Sequence, residues 1–240
     1  MPGLVAQQLE KSYGGRKVVD GLSFQVNPGE IVGLLGPNGA GKTTAFYMTV
    51  GLIKPDAGQV IFNDQDVTHA PIHIRARMGM GYLAQEPSIF RQMTVEDNIL
   101  SILETLSLNP AEQQKRLAAL LEELHLTPLA KKKAATLSGG ERRRLEITRS
   151  LVTHPTFLLL DEPFANIDPI SVQEVKEMIR HLSNKNISIL ITDHNAREIF
   201  SIVDRSYLVY DGKVMKEGTV HDFLEDEQAR KRYLGDEFRL

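Results

Sequence analysis

The stretch Ile31-Val-Gly-Leu-Leu-Gly36-Pro-Asn-Gly-Ala-Gly41-Lys42-Thr43-Thr44 decides how the rest of the chain is read. A short apolar run without polar alternation suits a strand buried on both faces, as in a parallel sheet. Gly36 to Thr43 then fit G-x-x-x-x-G-K-[ST], the spacing of a phosphate loop between a strand and a helix. The glycines let successive backbone N–H groups point into one concavity, and the next helix sets its positive end against an anion. Lys42 is expected to reach the β- and γ-phosphates, and the Thr43 hydroxyl to ligate Mg2+.

Working outward, the apolar run recurs. Phe157-Leu-Leu-Leu160 leads directly into Asp161-Glu162, and Ile187 to Ile191 leads into Thr192-Asp-His194. Residues 78–83, MGMGYL, form a third candidate strand, two residues before Gln85. Ligands of open parallel sheets bind beyond the carboxyl ends of the strands, so these side chains are expected on the same edge as the phosphate loop. The roles that follow are Asp161 in the metal shell, Glu162 on the attacking water, and Gln85 and His194 against charge developing on the γ-phosphate. Taken singly, two acids before Pro163 also fit a solvated turn, and a lone His a turn or cap.

Around these runs the chain alternates strand and helix signals, which argues for an α/β fold with a mainly parallel sheet covered on both faces. Phe24 to Val26 and Val60 to Phe62 read as short strands, and Asp211-Gly212 as a hairpin turn between Ser206–Tyr210 and Lys213–Lys216. From Thr94 to Thr153 the period is helical. Thr94-x-x-Asp97 and Asn109-Pro110 are helix starts, and Leu117, Leu120, Leu121 and Leu124 make an apolar stripe. Asp168-Pro169 opens another helix, with Val172, Val175, Ile179 and Leu182 on one face, and residues 195–202 read as helical.

Composition narrows the function classes. Zero Cys removes disulfides, thiolate metal sites and cysteine nucleophiles, and fits a reducing compartment. Lys+Arg is 28 against Asp+Glu 31, net −3, so no bulk electrostatic grip on nucleic acid is expected. The runs Lys131–Lys133 and Arg142–Arg144 lack interleaved aromatics and read as solvated faces or local ion pairs. No apolar run approaches the ~20 residues that span a bilayer, so direct membrane insertion is not expected.

Leu137-Ser-Gly-Gly-Glu141 heads the helical stretch RRRLEITRSLV. Ser138-x-x-Glu141 satisfies a capping box, and two consecutive glycines exceed what a cap needs. Bare N–H groups at a positive helix end suit an anion arriving from outside. With GPNGAGKT, Gln85, FLLLDEP and His194 in this order, the chain resembles the ATP-binding subunits of ABC transporters over essentially its whole length. The resemblance implies a P-loop NTPase with a RecA-like core, an N-terminal antiparallel β subdomain and an inserted helical subdomain. It places the core at 1–85 and 154–240 and the insertion at about 86–153.

It also implies ATP with Mg2+ held by Gly36, Pro37, Asn38, Gly39, Ala40, Gly41, Lys42, Thr43 and Thr44. Tyr13 would stack on adenine, and the metal would be shared by Thr43, Gln85 and Asp161. Two copies would pack head to tail, so that Ser138, Gly139, Gly140 and Glu141 of one meet the nucleotide of the other. Ala165 to Asp168 would line that interface. Membrane subunits would dock on the 86–153 region near Phe90 and Arg91, which implies a cytoplasmic, peripheral location at an inner membrane. The stretches QEPSIFRQMTVEDNI, DEPFANIDPISV and YLGDEFRL resemble more narrowly the ATPases that drive lipopolysaccharide export. Ala84 and Asn166 depart from that pattern, which usually has Pro and Gly there. ATPases of branched-chain amino-acid importers are similar and stand as the alternative, with a soluble ABC ATPase acting on ribosomes or DNA behind them. Tyr233 to Leu240 is too apolar for a frayed tail and receives no role.

Overall fold

Alternating and continuous apolar runs end up in different sheets. The computed structural model describes residues 3–235 and 238, and ten strands in two sheets are found among them. Strands β1 (Leu4–Tyr13) and β2 (Arg16–Val26) pair antiparallel. After β3 (Ile31–Leu35) the chain returns through β4 (Ala57–Phe62) and β5 (Gln65–Asp66) to complete the sheet β2-β1-β4-β5. The second sheet takes the remaining strands. They are β6 (Met80–Leu83), β7 (Phe157–Asp161), β8 (Ser188–Thr192), β9 (Arg205–Tyr210) and β10 (Lys213–Gly218), arranged with β3 in the order β10-β9-β3-β8-β7-β6. All of its neighbours pair parallel except the hairpin β9–β10. The turn of that hairpin is Asp211-Gly212, both at positive φ, as the sequence predicts.

The fully buried strands β3, β7 and β8 serve two cores at once. Val32, Leu34, Leu159 and Leu190 face the antiparallel sheet and helix α1 (Lys42–Val50). Ile31, Leu35, Leu158, Leu160, Ile189 and Ile191 face the opposite way, toward the helices. Side chains alternate along a strand, so two apolar environments require an unbroken apolar run. The far end of α1 is pinned by Arg75, whose buried guanidinium donates to the carbonyls of Met48, Thr49, Thr68 and Ala70. Burial pushes its pKa down to about 10.

The stretch read as helical from 94 to 153 contains α2's successors in the chain. After α2 (Ile72–Arg77) come α3 (Val95–Leu103), α4 (Pro110–Glu123) and α5 (Gly139–Leu151). Two short 3-10 turns and one isolated bridge, Thr94 to Lys133, join them. Thr94 and Asn109 each complete a reciprocal capping box, at about 1 kcal/mol per cap. Leu117, Leu120, Leu121 and Leu124 are buried together. Helix α6 (Pro169–Asn184) buries Val172, Val175, Ile179 and Leu182 and packs against α5, and α7 (Ala196–Phe200) follows β8. No helix among the described residues is long and apolar enough to cross a membrane. Of the tail, residues 236, 237, 239 and 240 lie outside the described residues. Phe238 packs edge-on to Phe200, with ring centroids 6.0 Å apart.

Candidate functional site

The parallel order β3-β8-β7-β6 fixes what stands beside what at the carboxyl edge. The loop after β3 carries Gly36 to Gly41, β8 runs into Asp193-His194, β7 ends on Asp161 before Glu162, and the chain after β6 reaches Gln85. The glycines of the first loop are there by necessity. Gly36 has φ +146°, and a Cβ on it would lie 2.1 Å from the Val209 carbonyl oxygen. A Cβ on Gly41, at φ +102°, would lie 2.5 Å from the Val18 oxygen. Helix α1 starts on Gly41 with no side-chain cap and no acid in its first turn, so its leading N–H groups have no side-chain acceptor of their own. The loop wraps a cavity of about 150 Å3 lined by Asn38 to Thr44, Glu162, Thr192 and Asp193.

Lys42 is buried under this loop, its Nζ donating to the carbonyls of Gly36 at 2.6 Å and Pro37 at 3.0 Å. Burial pulls its pKa below the usual lysine value, and the charges of Glu162 and Asp193 oppose that pull. Asp161 is 2% exposed; its Oδ1 accepts from the Thr192 hydroxyl at 2.7 Å, while Oδ2 is buried without a completed hydrogen bond. A buried orphan carboxylate oxygen beside a phosphate loop fits a hard divalent cation or its water. Glu162 sits at φ +45°, uncommon for a side chain of its size and held by its neighbours. Its N–H donates to the Thr192 carbonyl at 2.8 Å, and its Oε2 accepts from Gln85 Nε2 at 2.8 Å. His194 Nδ1 lies 3.6 Å from the same oxygen and 3.5 Å from Asp193 Oδ1. Asp193 is itself buried, with Oδ2 unpaired, and burial pushes its pKa up. The acids therefore gather on one edge instead of forming a solvated turn.

Other expected residues stand apart. Ser138 to Glu141 line neither the phosphate-loop cavity nor the neighbouring cavity of about 450 Å3 along Gln85, Glu162 and His194. Ser138 completes its capping box with Glu141: Ser138 N donates to Glu141 Oε2 at 2.8 Å, and Glu141 N to Ser138 Oγ at 3.2 Å. Gly140 has a packing reason of its own, because a Cβ there would lie 2.3 Å from Ser171 Oγ on α6. Tyr13 is 48% exposed at the end of β1, and Lys11 Nζ lies 5.7 Å from its ring centre. Asn166 stands at φ +58°, a left-handed position where Asn substitutes for Gly at least cost.

Of the reading of Arg142–Arg144 as a solvated face or local ion pairs, the pairing is met by Arg143–Glu146 and Arg144–Glu174, and the solvated face needs correction at Arg143. Arg143 is buried, and beyond its ion pair with Glu146 at 2.9 Å it donates to the carbonyls of Ala84, Asp161, Glu162 and Pro163 at 2.8–3.2 Å. It thus braces the loop that carries the acids. A signal was available, since Gly140, Arg143, Ile147 and Leu151 fall on one helical stripe.

A phosphate loop with acids from β7 and a histidine from β8 on one edge defines a nucleotide-hydrolysing ATPase of the P-loop class. Residues 19–165 match the family model described as ABC transporter, which covers more than half of the chain. The chain belongs to this family, among its ATP-binding subunits. It is 56% identical to the lipopolysaccharide export system ATP-binding protein LptB of Acidithiobacillus ferridurans, over 99% of this chain and 98% of that one. LptB of Escherichia coli strain K12 is 50% identical over the whole of both chains. Among solved structures, the ADP conformation of MJ1267, an ATP-binding cassette of an ABC transporter, is 28% identical. It covers 98% of this chain and 100% of its own, with TM-score 0.88. A dimeric, ADP- and phosphate-bound MJ0796 cassette, at 21% identity and TM-score 0.78, shares the fold.

Proposed function

We propose that this chain hydrolyses ATP as one half of a homodimer and drives lipopolysaccharide export through membrane subunits. The observation that carries the dimer is the separation just described. Ser138 to Glu141 form a finished helix start and line neither of the two cavities at the phosphate-loop edge. Facing a nucleotide fixed by a second copy, the same serine and glycines complete the pocket. Ile170, 76% exposed beside Asp168, supports the placing of Ala165 to Asp168 at that interface. The solved cassette named as dimeric supports the same reading. The relatives named for lipopolysaccharide export, matched end to end at 50–56% identity, support the cargo and weigh against the importer alternative.

In this reading the loop N–H groups of Gly36 to Thr44 bind the phosphates, and Lys42 exchanges two carbonyl partners for phosphate oxygens. Tyr13 covers the base. The divalent cation, taken by Thr43, Gln85 and Asp161, supplies charge neutralisation on the phosphates. Glu162 accepts a proton from the attacking water, and His194, with Lys42, counters charge on the γ-phosphate. Gln85 binds only one of the two Glu162 oxygens, so the carboxylate can take the water's proton with that contact in place.

The segment 86–153 forms the arm that meets the membrane subunits. Phe90 is 50% exposed, and its backbone is gripped from both sides by the buried Asn98 side chain, at 2.8 and 3.0 Å. Arg149 stacks over its ring at 4.9 Å, and Arg91 is exposed next to it. An aromatic held outward by a built support suits a short helix of a partner. Phe90→Ala should abolish co-purification with the membrane subunits while leaving nucleotide binding intact; retained co-purification removes this docking site.

The composite pocket is tested by mixing. In a heterodimer of Lys42→Ala with Ser138→Ala, one pocket carries both defects and the other neither. Mixed samples should recover ATPase activity that each variant lacks alone. No recovery at any ratio refutes the shared pocket.

A further inference from the structure

We propose that Tyr47, backed by Tyr82, is a positioning residue that holds the Asp161 carboxylate for the divalent cation. The proposal rests on Asp161 serving that cation. Thr192 fixes Oδ1 at 2.7 Å, but a carboxylate tethered at one oxygen can still pivot, and Oδ2 is buried without a completed hydrogen bond. Tyr47 is four residues after Thr43 on α1, so the two share a helix face, and side chains on a helix lean toward its N-terminus. The helix that presents the Thr43 hydroxyl therefore carries a phenol one turn below it, and burial, then the charge of Asp161, raise the pKa of that phenol.

Tyr82 comes from the other side. On β6 it pairs with Leu159 of β7, two residues before Asp161, so all three lie on the α1 side of the sheet. Phe46 wedges the two tyrosines, its ring centre 6.3 Å from that of Tyr47 and 6.2 Å from that of Tyr82. Burial, then the neighbouring Tyr47, push the Tyr82 pKa up. An ionised carboxylate only accepts, so donation along this row can run one way only, from Tyr82 to Tyr47 and from Tyr47 to Asp161. A carboxylate oxygen has lone pairs for both a phenol and a cation, so the contact steadies the ligand without consuming it. Hydroxyl partners of this kind orient metal-binding carboxylates, and their loss weakens metal affinity about 10- to 100-fold.

The test is equilibrium binding of a fluorescent ATP analogue to the full chain, once with Mg2+ and once with excess chelator. Tyr47→Phe keeps the ring and removes the donor. Its Kd should rise about tenfold with Mg2+ and stay unchanged in chelator, with Tyr82→Phe shifting the same way by less. Equal shifts in both conditions, as a change of pocket shape alone would give, or no shift at all, overturn the proposal. A wild-type chain whose binding ignores Mg2+ overturns the Asp161 assignment itself, and the proposal with it.

Discussion

Two helices of this molecule begin on glycine-rich loops, and they are finished in opposite ways. Helix α1 starts on a left-handed Gly41, without a capping side chain, over a cavity and beside a buried lysine. Helix α5 starts on Ser138 with its cap closed by Glu141, in an exposed position with its second glycine packed against α6. The first leaves its backbone donors free of side-chain acceptors and needs a bound anion to complete it. The second is already satisfied, and Glu141 puts a negative charge where the helix dipole is positive, which weakens any anion binding by α5 alone. A shared sequence feature, glycines ahead of a helix, thus marks a primary phosphate grip in one place and a contact surface for an already anchored nucleotide in the other.

The largest effects should fall on the α1 edge. Glu162→Gln should lower steady-state ATP hydrolysis about 1000-fold while ATP binding persists and closed dimer accumulates by light scattering. Near-normal turnover would remove Glu162 from its role. At α5, Ser138→Ala should leave nucleotide affinity of dilute monomer within about twofold yet lower dimer ATPase about 100-fold, the scale of one lost transition-state donor. Weakened binding in the monomer would erase the contrast between the two helices.

Next comes the brace joining them. Arg143→Met leaves Glu146 buried without its cation and several carbonyls near the acids unpaired. A cost of about 3–5 kcal/mol should lower Tm by roughly 6–20 °C. Unfolding within a degree or two of wild type would show that the brace is dispensable.

The smallest expected effect is pH-dependent. Burial raises the Asp193 pKa above 3.8, so its charge penalises the fold fully above the folded value, and the penalty vanishes below the unfolded one. Asp193→Asn can keep the bond from the Asn195 amide to its Oδ1, 2.9 Å long in the parent. It should raise Tm at neutral pH by about 2–4 °C, the gain fading as pH falls toward 4. A constant gain across that range would assign it to something other than ionisation.

The order of elements was legible because each local signal agreed with its tertiary setting. The apolar runs at 31–35, 157–160 and 187–191 became the strands that feed two cores, and Thr94, Asn109 and Ser138 became caps. Most of the site followed from one rule, that parallel strands open their carboxyl ends on one edge. What stayed hidden depends on distant partners. Arg143 looked like one of three surface cations because its acceptors lie 18 to 20 residues ahead and 59 behind. Asp193 was passed over beside His194, since burial of a charge has no local signature.

Strand β7 has apolar neighbours pressed against both of its faces, and β8 and β6 flank it on either side. It is enclosed on both faces and along both edges. The carboxylates at its tip are therefore anvils rather than hammers. In the proposed reading the work stroke comes from the arm and the second subunit, striking against this block.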